Sequence, residues 1–360
     1  MSTYADSGVN IEIGDDSSKI MYQAARLTWE NRKGRIGEVI SPKDDFSGVR
    51  GINVGGLPEG TMMSTGFDGI GTKVEIAERV ARHDTVAYDL FAMVCDDAVV
   101  CGGEPVLVGS IFDVNSLGDG GKSHLDLMKQ LAKGYVEAAK VARVAVINGE
   151  IAELGARVSG FGKFNYNWGA SVVWFARKER LFTGSEIKVG DKVVALREKG
   201  FRSNGLSLLR KIMLDNYGGN WHEEKLGEAT MGEMALIPSQ IYCACGCDMF
   251  GGFDSQPRCE VHGFAHITGG GIPGKLGRVL KRAGLGAKLD NLFEPCELMR
   301  HAIEIGKVAR DEAYRTWNMG NGMLVIVAPG AEKETIKIAA EHGVEARVCG
   351  EITEDKNIKF

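Results

Sequence analysis

From Asp84 to Cys101 the chain reads "DTVAYDLFAMVCDDAVVC", apolar at nearly every position except four aspartates. A helix that is apolar all round lies in a core, so this run predicts a buried helix. Residues 123–142 place Leu125, Met128, Leu131, Ala132 and Tyr135 at helical spacing, which predicts an amphipathic helix. Shorter helices are expected at 74–82, 203–214, 275–282 and 331–342, the second opened by Ser203 as its cap. Runs such as "EPVLVGSIFDV" (104–114), "RVAVING" (143–149), "GASVVWFARK" (169–178), "KVVALRE" (192–198), "FAHITGGGI" (264–272) and "GMLVIVAP" (322–329) read as strands. A further short strand, 61–65, runs into a glycine-rich turn. Strands and helices alternate in both halves, so the class is α/β or α+β. The charged stretch "RKERLFTGSEIKVGD" puts a boundary near 176–190, giving domains 1–178 and 179–360.

Bulk composition narrows the function classes. The chain has 360 residues, 44% hydrophobic and 25% charged, enough for about two folded domains. A net charge of −5 gives no basic field for nucleic acid or anionic lipid. No apolar run approaches the roughly 18 residues of a bilayer span. The start "MSTYADSGVN" lacks the basic and apolar blocks of a secretory signal, so a cytoplasmic protein with reduced thiols is expected. Cys243, Cys245 and Cys247 ("CACGC") do not match zinc spacing and read as small residues filling a helix.

Candidate chemistry gathers at glycine turns and at the buried helix. "STGFDGIGTK" (64–73) holds Gly66, Gly69, Gly71, Asp68, Thr72 and Lys73. It is neither a P-loop nor a dinucleotide fingerprint. Free backbone N–H groups and Lys73 would suit phosphate oxygens. Asp68 would repel phosphate unless a metal bridged the two. On the buried helix, Asp89 and Asp96 lie two turns apart on one face, with Asp97 adjacent. Buried carboxylates need a cation or hydrogen bonds. Mg²⁺ would relieve them, and so would pairing with lysine or arginine. Both readings stand for these residues alone. Glu150 and Glu153 follow a strand and read either as metal ligands or as first-turn helix acids. "SNG" (203–205) and "HITGGG" (266–271) are two more turns able to hold phosphate. His266 alone reads as a satisfied structural histidine.

Taken together and in order, several segments resemble the aminoimidazole ribonucleotide synthetase, or phosphoribosylformylglycinamidine cyclo-ligase, family. They are "YADSGVNIEIG" (4–14), "TGFDGIGTKVEIA" (65–77), "RHDTVAYDLFAMVCDDAVVCGGEP" (82–105), "NGEIAE" (148–153), "RSNGLSLLRKI" (202–212), "AHITGGGIPGKLGRVL" (265–280) and "YRTWNMGNGM" (314–323). The resemblance implies two α/β domains, the first lending strands to a barrel at a homodimer interface. It implies ATP and Mg²⁺ in a cleft and a phosphoribosyl purine precursor as substrate. It implies that phosphorylating a formamide oxygen lets an amidine nitrogen close the ring. Under it, Asp68, Asp96, Asp97 and Glu153 look like metal residues. Lys73 looks like a phosphate contact, and Asn204 and His266 like substrate-side residues. Gly66, Gly69, Gly71, Thr72, Asp89, Glu150, Arg202, Gly269 and Gly270 look like nucleotide or phosphate contacts.

The chain departs from the family pattern at several places. Arg202 stands where the family has histidine, Ile151 where it has threonine, and Asp96 where it has asparagine. The family's N-terminal glycine-rich segment is hard to find in 32–51. Two alternatives therefore accompany the cyclo-ligase. One is another ATP-dependent enzyme of the same superfamily, and the other is a dimeric binding protein without catalysis.

Overall fold

A computed structural model describes residues 11–42, 48–119 and 122–360. Residues 4–10 of the first resembling segment and 43–47 of the 32–51 stretch lie outside the described residues.

In the first half, helices α1 (Ile11–Thr28), α2 (Lys73–Val80), α3 (Val86–Val100) and α4 (Leu125–Ala142) accompany four long strands. These are β1 (Thr61–Gly69), β2 (Glu104–Val114), β3 (Ala145–Glu153) and β4 (Tyr166–Arg177), arranged β1-β4-β2-β3. The β2–β3 pair is parallel, with α4 lying between them in the chain; β4 runs antiparallel to both its neighbours. Helices α1 and α3 lie on this sheet, and α4 packs on both. Strand alternation sends Phe67 and Ile111 to the opposite face, where they are 79% and 57% exposed.

The second half holds β5 (Lys192–Arg197), β6 (Val261–His266), β7 (Gly286–Leu289), β8 (Asn321–Val327), β9 (Ala346–Thr353) and β10 (Ile358–Lys359). Their order is β6-β8-β5-β9-β7-β10, antiparallel except for β7 with β10. The longer helices are α5 (Leu206–Tyr217), α6 (Cys243–Phe250), α7 (Gly271–Leu280), α8 (Glu297–Ile305), α9 (Arg310–Thr316) and α10 (Glu332–Glu341). Helix α3 touches β1 and β4 on one side and α6 and β6 on the other. Lodged between the two sheets, it has no solvent stripe along most of its length, which is why its sequence is apolar all round.

Most expected elements are present, with informative shifts. Strand β1 runs through Asp68 to Gly69, because Gly66 and Gly69 are ladder residues opposite Val172 and Gly169. Within 64–73 only Gly71, at φ +65°, takes a left-handed turn. Asp68 thus sits on a strand end and not at the apex of a loop. Strand β3 continues to Glu153, paired with Val114, so Glu150 and Glu153 are strand residues and not first-turn helix acids. Helix α5 starts at Leu206 after Gly205, and Ser203 does not cap it. Helix α7 starts at Gly271, four residues early. A Cβ at Gly271 would lie 1.8 Å from the Tyr314 carbonyl oxygen, so only glycine admits α9 there. Cys243, Cys245 and Cys247 are buried in α6, filling a helix as expected. Among the described residues no helix is long and apolar enough to cross a membrane.

Candidate active site

Two adjacent acids on α3 meet different surroundings. Successive helix residues point about 100° apart. Asp96 faces inward and is fully buried, whereas the Asp97 side chain is 53% exposed. Asp96 accepts from the Tyr242 backbone N–H at 2.8 Å and pairs with Arg202 at 3.1 Å. Burial raises its pKa to about 7 against the pull of Arg202. Both its oxygens are engaged, so the metal role expected of Asp96 does not fit: its countercharge is an arginine.

Arg202 is the centre of this cluster. Its Nη1 donates to Glu198 and to the Gln240 carbonyl, each at 2.8 Å. Its Nη2 reaches Asp96 and, at 2.6 Å, His266 Nε2. The guanidinium also lies 5.2 Å from the centre of the Tyr242 ring. The residue is 1% exposed and holds φ +57°, a left-handed backbone costly for a long side chain. It is not the phosphate contact the sequence suggested, because every direction it can donate in is turned into the protein. Burial would lower its pKa, but Glu198, Tyr242 and Asp96 raise it on balance.

His266, at the end of β6, joins this buried cluster to the surface. Its Nδ1 is 2.7 Å from Asp97 Oδ1. Burial, then the Arg202 charge, lower its pKa to about 4, so the ring is neutral at pH 7. Burial would raise Asp97, but the hydrogen bond to His266 and the charges of Lys275 and Arg202 hold it below the usual carboxylate range. Asp68 lies within electrostatic reach of Asp97. Burial first, and then the Asp97 charge, raise Asp68, opposed by the Gly69 N–H at 2.7 Å and by Lys275. Asp68, Asp97 and Lys275 therefore lie within electrostatic reach of one another, and His266 joins this group through its hydrogen bond to Asp97.

Three turns adjoin these residues in the chain. A Cβ at Gly71 would sit 3.5 Å from the Ser203 carbonyl oxygen, and one at Gly269 would sit 3.8 Å from Asn204 Nδ2. The turns before α2, α5 and α7 are thus neighbours; Thr72 and Gly270 lie on them, and Gly69 ends the strand that leads into the first. Ser203 Oγ and Asn204 Oδ1 are buried without a hydrogen-bond partner. Gly205, at φ +73°, lies against Trp317, whose indole N–H donates to the Gly205 carbonyl at 3.0 Å. That contact explains "YRTWNMGNGM": it supports the 202–205 turn from behind.

Four expected site residues lie elsewhere. Lys73 is fully buried, 2.7 Å from Asp89, and donates to the Ile237 carbonyl, so its ammonium does not reach the turns. Asp89 is likewise fully buried, held by Lys73 and the Ser239 hydroxyl. Glu153 accepts from the Leu117 N–H at 2.7 Å. The register Asp68–Ala170–Ser110–Gly149 puts Glu150 and Glu153 at the far edge of the sheet, about 14 Å away by three strand spacings. Glu150 instead borders a cavity of about 280 Å³ with Tyr22, Trp29, Arg50, Phe112 and Tyr135. Conversely, Lys275, Glu198 and Trp317 carry site contacts that the sequence did not single out.

Asp68 and Asp97 supply hard oxygen donors with an uncompensated excess of charge, which fits Mg²⁺. That ion takes one or two carboxylates and completes its shell with water and phosphate. Among the described residues no group of three or more His, Cys, Asp or Glu could hold a metal ion.

Comparison with known proteins gives a consistent set of matches. The description AIR synthase related protein fits the chain twice, its N-terminal domain over residues 51–167 and its C-terminal domain over 188–360. A phosphoribosylformylglycinamidine cyclo-ligase of Anaeromyxobacter dehalogenans is 35% identical over 352 residues, 97% of this chain and 95% of that protein. Its counterpart in Methanocaldococcus jannaschii is 30% identical over 364 residues, 99% and 94% of the two chains. The solved thiamine-monophosphate kinase of Stenotrophomonas maltophilia shares the fold, with TM-score 0.64 over 94% of this chain and 95% of that one, at 12% identity.

Proposed function

This chain belongs to the AIR synthase related family, and we propose that it closes formylglycinamidine ribonucleotide to aminoimidazole ribonucleotide in purine biosynthesis, splitting ATP to ADP and phosphate. One observation carries the reading: identity to curated cyclo-ligases extends over nearly the full length of both chains. The thiamine-monophosphate kinase, at 12% identity, speaks for the fold alone.

The γ-phosphoryl group passes to the formyl oxygen and ADP leaves. The amidine nitrogen then attacks the formyl carbon, the C–O bond breaks, phosphate departs with the oxygen, and the nitrogen loses its proton. Attack is intramolecular, so the protein's part is mainly positioning and charge neutralisation. Mg²⁺, held by Asp68 and Asp97, would draw charge from the phosphate oxygens. The N–H groups at the starts of α2, α5 and α7 face anionic oxygens, and Ser203 Oγ and Asn204 Oδ1 gain from a ligand the partners they lack. Lys275 balances the two acids. His266 stays neutral and steadies Asp97.

The reading divides the chain into a nucleotide-binding half, 1–178, and a substrate-side half, 179–360. A second copy would cover the apolar face carrying Phe67 and Ile111, joining the two β1–β4 sheets into a barrel. The enzyme works in the cytoplasm on a small phosphoribosyl substrate, without nucleic acid or membrane. The test is ADP release with and without formylglycinamidine ribonucleotide. Stimulation is expected. Undiminished ATP binding without stimulation would move the assignment to another ATP-dependent enzyme of the superfamily.

A further inference from the structure

Asp96 and Arg202 lie 106 positions apart in the chain and meet in space at 3.1 Å. The acid and the cation form one buried pair. The pair leaves Arg202 Nη2 directed at His266 Nε2, 2.6 Å away. A guanidinium has five N–H donors and no acceptor. His266 Nε2 must therefore present its lone pair, which places the ring proton on Nδ1. Nδ1–H then donates to Asp97 Oδ1 at 2.7 Å and leaves the second Asp97 oxygen for a ligand.

We propose that Arg202 is a positioning residue: by donating to His266 it fixes the Nδ1–H tautomer, and through that ring it sets the orientation of Asp97 beside Asp68. This rests on the reading of Asp97 as a metal contact. Arg202 reaches no substrate and does its work from full burial. The side chain is held by Glu198, Gln240, Asp96 and the Tyr242 ring, so Nη2 has little freedom to turn away from His266. That hold also accounts for a left-handed backbone at a long side chain, since strain of this kind persists where surrounding contacts over-determine it. Partners that orient a metal-binding side chain through hydrogen bonds typically matter about 10–100-fold in metal affinity or activity.

The tautomer is read directly from ¹⁵N-labelled histidine shifts of the intact protein at neutral pH, without metal or nucleotide. His266 is expected as Nδ1–H in the wild type and in Arg202→Lys, which keeps a charged donor. Arg202→Met is expected to show mixed tautomers. Mn²⁺ in place of Mg²⁺, followed by the loss of its free paramagnetic signal on binding, gives the second readout. Arg202→Met should weaken Mn²⁺ binding about 10-fold or more, and Arg202→Lys should restore most of it. An Nε2–H ring in the wild type overturns the proposal whatever the metal does. Wild-type Mn²⁺ binding that Asp97→Asn leaves unchanged overturns the reading beneath it, even with the tautomer as expected. Should Arg202→Met fail to fold, the wild-type spectrum and Arg202→Lys still decide.

Discussion

Lys73→Met separates a structural lysine from a phosphate-binding one. Lys73 Nζ lies 2.7 Å from Asp89 Oδ1, with both side chains fully buried. Asp89 Oδ2 has no hydrogen-bond partner. Methionine keeps the length of the side chain and removes the charge, leaving an ionised carboxylate in the core with only the Ser239 hydroxyl for support. Removing one partner of a buried pair costs about 3–5 kcal/mol. Asp89→Asn in the same chain removes the stranded charge and should recover roughly 2 kcal/mol or more of that loss. Urea unfolding of the wild type, both single variants and the double variant measures this coupling, provided the m-value stays constant. ATP KM gives the second readout. A lysine on the triphosphate would contribute about 1.5–3 kcal/mol, so its loss would raise KM roughly 10- to 150-fold, and Asp89→Asn would not repair it. The structure instead predicts a double variant with KM within a small factor of wild type. A Lys73→Met chain as stable as wild type, or a large KM increase that persists in the double variant, would refute the buried-pair account.

Asp97→Asn should leave the unfolding midpoint nearly unchanged, because the side chain is half exposed, while ADP release falls by about 10²-fold or more. If a second copy covers this face as proposed, Phe67→Asp should leave a monomer in sedimentation velocity without loss of folding, since Phe67 is 79% exposed in the single chain; a persistent dimer would place the interface elsewhere. His83 is buried against Tyr166, and burial lowers its pKa from the ordinary 6.5 to about 4. The unfolded chain binds that proton first, so stability is lost as pH falls from about 6.5 towards 4, by about 3 kcal/mol in all. His83→Gln should flatten that limb by a comparable amount. Asp96, raised to about 7, acts in the opposite sense, its contribution falling as pH rises towards 7. Gly271→Ala should destabilise the protein by several kcal/mol in chemical unfolding, because the added Cβ would overlap the Tyr314 carbonyl; a loss under about 1 kcal/mol would mean α9 is not seated there.

Much of the architecture follows from local pattern. The strands at 104–114 and 192–197, the helices at 125–142 and 332–341, and the apolar helix between the sheets are all marked by periodicity. Glycine turns before α2, α5 and α7 are visible because their backbone chemistry is local. The boundaries that moved did so for tertiary reasons. β1 and β3 are longer than expected because partner strands extend their ladders through Gly69 and Glu153. α7 begins at Gly271, where a carbonyl from α9 leaves no room for a Cβ.

The order of its motifs alone ties this chain to a family and to acids on a core helix. It could not say which acid meets solvent. Asp96 and Asp97 are neighbours of identical chemistry, separated only by the turn between successive helix residues. One faces Arg202, 106 positions along the chain, and is neutralised there; the other is half exposed and bonded to His266. Lys73 likewise looks ready for phosphate until Asp89, in the first turn of the next helix, claims its charge. Charge pairing depends on distance in space and on burial. Neither quantity is written in the local pattern, so the fates of these charges were settled only when the two sheets closed on α3.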